Sequence, residues 1–394
     1  MPSGPRTPRR KRGRGRRAAT RPDDALRALR KEIERIDRDI VRLLAARLRA
    51  ARAIGNVKAR AGLPIRDFRT EKDVRARAAH LGHRLGVERD LVESLFGTLI
   101  EGAVREQEEI HETSYEGALR RVLVVGGRGK MGAWLSRFFH GQGHAVATCD
   151  PAGRLEGFAS FGSLAEGLAW AEIAIVATPL ESARETLGEV LALRPRALVA
   201  DIFSLKTPVI PLVRKAVASG LRVASIHPLF GPDAVLLAGR TLLVCDTGDA
   251  GAAREVRSFF APTSLAIHAI SLEEHDRAMA VVLGLSHAVN LIFARALLKT
   301  GRTFAQLGGV ASTTFWKQAR TAMEVAAENP RLYHAIQHEN RESASTLPLL
   351  LEAAREFVDA ALANDPEPFV AEMERARAWF ATRPRKGRTR GQSP

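Results

Sequence analysis

Three groups of residues in this chain have the types and spacing to do chemistry. The first is a set of cations on an apolar stripe. That stripe runs Leu26, Leu29, Ile33, Ile36, Ile40, Leu43, Arg47, Ala51, Ile54 and Lys58, in steps of three and four, the period of one long amphipathic helix. A charge facing a core without a partner costs on the order of several kcal/mol. Arg47 and Lys58, with Arg30 at the stripe's edge, therefore point to a small anionic ligand held between helices. Stems that snorkel outward, or an internal carboxylate, would also account for them.

The second group is Gly127-x-Gly129-x-x-Gly132, which follows the apolar run Val122–Val125 and precedes a second run that leads to Asp150. Glycines between a strand and a helix let backbone amides approach a pyrophosphate, and an acid after the next strand accepts from ribose hydroxyls. Asp150 would repel a 2′-phosphate, so NAD is expected rather than NADP; a glycine turn without nucleotide, or FAD, are the competing accounts. The third group is His227-Pro-Leu-Phe-Gly-Pro-Asp233, placed after Val223–Ile226. A neutral imidazole fixed at a strand end is suited to take a proton from a hydroxyl as hydride leaves the same carbon, although a histidine can simply cap a strand. Asp201-Ile-Phe-Ser204-Leu-Lys206 brings a hydroxyl to the same edge. Glu274-His275-Asp276 is read as mostly structural, its acids suiting the start of a helix. His287 stands mid-helix among apolar residues, where a core histidine is equally reasonable.

The elements that must position these groups follow from periodicity. Helices are expected over about 24–61, 68–82 and 88–109, the last carrying Val92, Leu95, Phe96, Leu99, Ile100, Ala103 and Gln107 on one side. A first helix near forty residues is too long for two shorter partners to cover, which suggests a dimer sharing a helical core. Strand-like runs at Val122–Val125, Ala145–Thr148, Ile173–Thr178, Ala197–Asp201, Val223–Ile226 and Thr241–Cys245 alternate early on with helical stretches, as in a parallel sheet. From about Ser271 to Thr382 the pattern is helical again. The expectation is a multidomain chain: a basic tail (1–21), an all-helical domain (22–112), a linker (113–119), an α/β Rossmann domain (120–270), an all-α domain (271–382) and a second basic tail (383–394).

Composition bounds the rest. The formal charge of +16 over 394 residues is concentrated in those tails, which hold nine and five basic side chains and no acid, leaving about +2 for the body. The tails are expected to be disordered and to adhere weakly to polyanions, without specific nucleic-acid binding. Cys149 and Cys245 offer neither a disulfide framework nor a metal-ligand spacing, and suit a reduced cytoplasmic protein. No apolar run is expected to cross a membrane, the best, Met279 to Leu298, being broken by Ser286, His287, Asn290 and Arg295.

With these residues in view, 24–110 resembles the all-helical chorismate mutase family through Ala28-Leu-Arg30, Arg47, Val57-Lys58, Arg66-Asp67, Glu71 and Gln107. Residues 120–380 resemble prephenate dehydrogenase through Val125–Gly132, Ser204-Leu-Lys206, His227–Asp233, Glu274–Asp276, His287 and Asn329-Pro330. Together they resemble the bifunctional enzymes of tyrosine biosynthesis. The resemblance implies an isomerase that rearranges chorismate to prephenate and an NAD-dependent oxidoreductase that converts prephenate to 4-hydroxyphenylpyruvate. It implies that Arg47 and Arg30, the latter from a partner chain, grip the substrate carboxylates, that Lys58 and Gln107 donate to the ether oxygen, and that Asp67 and Glu71 orient the ring hydroxyl and Lys58. In the second half it implies His227 as base, Ser204 beside it, His287 lining the pocket, a C-terminal dimerisation domain, and NAD held by Gly127, Gly129, Lys130, Met131, Gly132, Asp150 and Thr178. Three positions depart from the pattern: Thr70 and Ala103 where the mutase family has Arg and Ser, and Glu324 where the dehydrogenase family has a carboxylate-binding Arg. Arg320, one turn earlier, is expected to replace it. An NAD-linked dehydrogenase for arogenate or another substrate, with the mutase half intact or decayed, and a ligand-sensing protein whose tails hold a polyanion, are the alternatives.

Overall fold

The computed structural model describes residues 22–382 except 62, 64, 113, 114, 116, 235 and 236; both basic tails lie outside the described residues. Three helices come first: α1 (Pro22–Arg60), α2 (Phe68–Arg84) and α3 (Arg89–Glu112). Acids at Asp23 and Asp24 and cations at Lys58 and Arg60 suit the two ends of the α1 macrodipole. Asp67 caps α2, accepting from the backbone N–H of Arg69 and Thr70, and α3 packs on both other helices. Around this packing Ala51, Ile65, Val92, Ile100 and Val104 are buried. The N-terminal half of the α1 stripe is not: Leu26, Ile33, Ile40 and Leu43 are exposed, Leu43 by 71%.

An eight-stranded sheet follows, with strands β1 (Arg121–Val125), β2 (Ala145–Cys149), β3 (Ala159–Ser160), β4 (Ile173–Val176), β5 (Leu198–Asp201), β6 (Val223–Pro228), β7 (Thr241–Asp246) and β8 (Ala266–Ser271). Their order is β3-β2-β1-β4-β5-β6-β7-β8, and every pair is parallel except β6 with β7. Helices α4 (Lys130–Gly141), α5 (Leu164–Trp170), α6 (Ala183–Ala192), α7 (Ile210–Ala218) and α8 (Ala250–Phe260) pack on it. Two apolar cores result, one on each face, the first including Leu123, Val176 and Val199 and the second Val122, Ile175 and Phe259. A strand buried on both faces reads as a continuous apolar run, which is why β1, β4, β5 and β6 are evident from sequence.

The chain then turns helical: α9 (Leu272–Met279), a π-helical segment (Ala280–Leu285), α10 (Ser286–Lys299), α11 (Phe304–Gly308), α12 (Thr313–Ala326), α13 (Pro330–His338), α14 (Ser343–Leu362) and α15 (Glu367–Ala381). The expected order, all-helical, α/β, all-helical, is the order found. One expectation needs correction. Leu272–Lys299 forms one 28-residue helical run whose best window has a mean hydropathy of 1.8, long and apolar enough by those measures to cross a membrane. The polar residues that break the run in sequence do not break the helix. His275 and Asp276, in its first turns, are buried, and Asn340 donates to the Asp276 carbonyl, which ties this end into the protein interior.

Candidate functional site

The parallel strands end at one edge of the sheet, and that edge collects the expected dehydrogenase residues. At its β1 end, Gly126 takes φ +83°, and a Cβ there would lie 2.8 Å from the Ala177 carbonyl oxygen. A Cβ on Gly132 would lie 2.1 Å from the Gly126 oxygen, so only glycine lets α4 start this close to the turn. No side chain caps α4, whose N-cap is Gly129, leaving its first amides directed at the space above the turn. That space is a cleft of about 760 Å³ lined by Gly126, Arg128, Gly129, Asp150, Thr178 and Glu189, among others.

The Asp150 carboxylate accepts from the backbone N–H groups of Arg128 and Ala152, which fixes it at the rim. The Thr178 hydroxyl is buried in the cleft wall with no hydrogen-bond partner among the described residues. A glycine cradle, uncapped helix amides, a rim carboxylate and an orphaned hydroxyl are the donors and acceptors a dinucleotide needs, so the residues present fit NAD. Lys130 and Met131 open α4 without being among the residues lining the cleft; Arg128, which the sequence reading passed over, is one of them.

The β5 and β6 ends hold a buried polar chain. His227 is 4% exposed, and its Nδ1 lies 2.9 Å from His275 Nε2. His275 Nδ1 lies 2.7 Å from Asp276 Oδ1. Asp276 also accepts from the backbone N–H groups of Lys206 and Thr207 and from the Thr207 hydroxyl. Lys206, with no exposed surface, pairs with Asp201 at 2.6 Å and donates to the Ile226 carbonyl.

One proton arrangement satisfies this chain: His275 Nδ1–H donates to Asp276, and His227 Nδ1–H donates to His275 Nε2. His227 Nε2 is then left as a lone pair. Burial, reinforced by His275 and Lys206, holds the His227 pKa well below its usual 6.5. Burial lowers His275 too, against the opposing pull of Asp276. For Asp276 burial acts upward, but the hydrogen bonds from His275, Thr207 and Lys206 bring it below the ordinary carboxylate range. In sequence His275 and Asp276 read as mostly structural; the structure brings them directly behind His227.

Ser204 follows β5 as His227 ends β6, and the register Asp201 with Ser225 puts both at the same edge. His287 is buried, its Nδ1 has no partner among the described residues, and its ring stacks on Tyr333 at 4.0 Å between centroids. It begins the helix just after the π-helical segment, a distortion that often accompanies function. Arg320 and Glu324 are both exposed on α12. The face that meets α10 is instead Gln318, bonded to Asn290, with buried Ala319 and Ala322. Within one protomer, then, Arg320 stands on the flank of that contact.

In the helical domain, Arg47 and Lys58 are half-buried as the stripe predicts, donating to the backbone carbonyls of Leu99 and Ile65. Neither has a carboxylate partner among the described residues, and burial lowers the Arg47 pKa. Gln107 is buried on α3. Glu71 is not turned to Lys58 as expected: Arg66 holds both of its oxygens at 2.8 Å. Asp67 is exposed and occupied with the α2 cap and the Thr70 hydroxyl; that bond, foremost, lowers its pKa. Arg30 is exposed near the start of α1.

Residues 29–108 match the family described as chorismate mutase type II. Residues 152–266 match the nucleotide-binding domain of prephenate dehydrogenase, and residues 271–374 match its dimerization domain. The T-protein of Enterobacter agglomerans is 26% identical over 355 residues, covering 90% of this chain and 93% of that one. The T-protein of Haemophilus influenzae is 24% identical, covering 91% and 93%. Among solved structures, prephenate dehydrogenase from Aquifex aeolicus, in complex with hydroxyphenyl propionate and NAD+, has the same fold. It aligns with a TM-score of 0.53 at 18% identity over 67% of this chain and 99% of that one.

Proposed function

The chain belongs to the bifunctional chorismate mutase–prephenate dehydrogenase family, and from that premise we propose how its residues share the two reactions. It rearranges chorismate to prephenate and oxidatively decarboxylates prephenate with NAD, two steps toward tyrosine. The observation that carries the assignment of residues is the His227–His275–Asp276 chain at the sheet edge that also holds the dinucleotide cleft.

Chorismate is a dicarboxylate, and its rearrangement needs positioning and charge stabilisation rather than a nucleophile. Arg47, with Arg30 of a second copy, would hold the carboxylates. Both Arg47 and Lys58 now donate to neutral carbonyls, weaker acceptors than an anion. Lys58 and Gln107 would donate to the ether oxygen as negative charge grows there. Glu71 would take the ring hydroxyl, while Asp67 serves by fixing the start of the helix that carries Glu71.

In the dehydrogenase half, Gly126, Gly129, Asp150 and Thr178 would hold NAD, with Gly127 and Gly132 shaping the turn and Lys130 and Met131 supplying α4 amides. When bound, NAD would supply the acceptor for the hydride that leaves the ring carbon, and the ring carboxylate would then leave as carbon dioxide, its bonding electrons aromatising the ring. His227 Nε2 would take the hydroxyl proton, Ser204 would orient that hydroxyl, and His275 with Asp276 would stabilise the imidazolium formed. The buried Nδ1 of His287 would meet the substrate side chain, and Arg320 a substrate carboxylate. Exposed Glu324 beside it favours one second reading. Arogenate, whose side chain carries an ammonium group, suits an acid there better than prephenate does.

A homodimer is the natural assembly. Val282, Ile292, Leu351, Val358, Met373 and other apolar residues of the matched dimerization domain are exposed in one protomer. With the two free cysteines, this suits a cytoplasmic enzyme.

The test is to supply chorismate and NAD and identify products by mass spectrometry while following NADH. 4-Hydroxyphenylpyruvate with NADH is expected. Prephenate accumulating without NADH would move the second activity to arogenate, and unchanged chorismate would overturn the mutase assignment.

A further inference from the structure

The segment that follows the His227–Asp233 turn does not end in solvent. Leu237, Ala238, Gly239 and Arg240 form a turn closed by the Arg240 N–H on the Leu237 carbonyl. Gly239 has φ +81°, a conformation that L residues adopt at a cost. The turn leads straight into β7, whose pairing sets Leu243 opposite His227. It reaches the mutase helices in four ways. The Leu237 N–H donates to the Glu108 carboxylate at 3.0 Å, and Glu108, next to Gln107, is buried. Ala238 packs on Ile65, Ile100 and Val104. Gly239 backs the Arg66 guanidinium, with Nη1 3.5 Å from where a Cβ would stand, an ordinary contact distance, so it is the positive φ that strains any other residue there. Arg66, Glu101 and Arg240 then share a small polar cavity of about 270 Å³ between the two domains.

Arg66 is the hinge of this contact. It holds Glu71 through two parallel bonds, the strongest geometry available to a carboxylate. Glu71 foremost, opposed by burial, with Glu108 and Glu101 adding to it, raises the Arg66 pKa. The residue before it, Ile65, receives Lys58 on its carbonyl. Arg66 thus lies between the dehydrogenase turn on one side and, on the other, Glu71, which it holds directly, and Lys58, which bonds the carbonyl of the preceding residue.

We propose that Arg66 is a positioning residue of the mutase site, aligning Glu71, and that the Leu237–Arg240 turn of the dehydrogenase domain buttresses it. The site is completed by a domain that performs the other reaction. This rests on the assignment of Arg47, Lys58 and Glu71 to the mutase site given above.

Both activities of the full-length enzyme are measured for Arg66→Gln, Arg66→Lys, Gly239→Ala and, as a control on the assignment, Arg47→Ala. Arg66→Gln is expected to lower mutase kcat about tenfold or more, the equivalent of losing a hydrogen-bonded charge pair, with KM changed less. Arg66→Lys should recover part of that loss, since a lysine keeps the charge without the fork. Gly239→Ala, remote from substrate, should lower mutase kcat in the same direction. NADH formation from prephenate by the Arg66 variants should stay within about twofold, which keeps misfolding from imitating the effect. If Arg47→Ala abolishes mutase activity while Arg66→Gln and Gly239→Ala leave kcat intact, the positioning role is overturned and the site assignment stands. If Arg47→Ala is also silent, the assignment itself has failed.

Discussion

At the scale of single residues, the dehydrogenase half depends on groups kept away from water. A buried His227 with its pKa pushed down is neutral at pH 7, as the general base proposed for it requires. Its lone pair is directed by His275, itself directed by Asp276. His275→Asn should therefore lower the NADH-forming kcat by about ten- to a hundredfold, the cost of leaving a buried donor misdirected. Mutase activity of the same variant should be unchanged, and a dehydrogenase rate equal to the parent would refute the chain. Acid affects stability through the same pair. Below about pH 6.5 the unfolded chain protonates these imidazoles while the folded one resists. The unfolded state then binds more protons, so stability should fall as pH drops from that point toward the lowered folded values, and urea midpoints at pH 7 and 5.5 would check it. Lys206 is a sharper case. Replacing it with Met strands Asp201 in the core and should cost about 3–5 kcal/mol, measurable by denaturant unfolding. A loss below about 1 kcal/mol would mean that water reaches the pair.

At the scale of elements, α1, α2 and α3 were legible because long, strictly periodic apolar patterns leave little choice of register. The strands β1, β4, β5 and β6 were legible because both their faces are buried. β3 was not, having two residues, nor β8, whose positions are all exposed or half-exposed and form no buried apolar face. The antiparallel entry of β7 and the partnership of His275 with His227 are long-range facts; the latter joins residues 48 positions apart. Local spacing reports on a helix start, not on what that start is packed against. The glycine turn was legible for the opposite reason, since its chemistry is entirely local. Gly132→Val would place carbon atoms inside the Gly126 carbonyl and should displace α4 from β1. Loss of NAD binding by calorimetry, with mutase activity retained, is the expected result; undiminished NAD affinity would mean that the cleft is not the dinucleotide site.

At the scale of the whole molecule, one protomer leaves two apolar surfaces uncovered at opposite ends of its chain. One is the stripe Leu26–Leu43 on α1; the other includes Val282, Ile292, Trp379 and Phe380 of the last helices. Exposed apolar surface on this scale calls for a partner. Arg30 lies on the first surface, at the edge of the same stripe, so a second copy that covers the stripe also brings its own Arg30 toward the Arg47 and Lys58 of this one. In the proposed assembly the two surfaces would have different duties. The C-terminal helices would hold the copies together, and the paired α1 helices would complete the mutase sites. Ile36→Glu, which sets a charge in the middle of the α1 stripe, should separate those helices without dissolving the C-terminal contact. Sedimentation velocity should still report a dimer, chorismate turnover should fall by about a hundredfold or more as Arg30 is withdrawn, and NADH formation from prephenate should persist. A variant that stays dimeric with full chorismate turnover would show that Arg30 is not shared between copies. One that becomes monomeric would show that α1, rather than the C-terminal helices, carries the assembly.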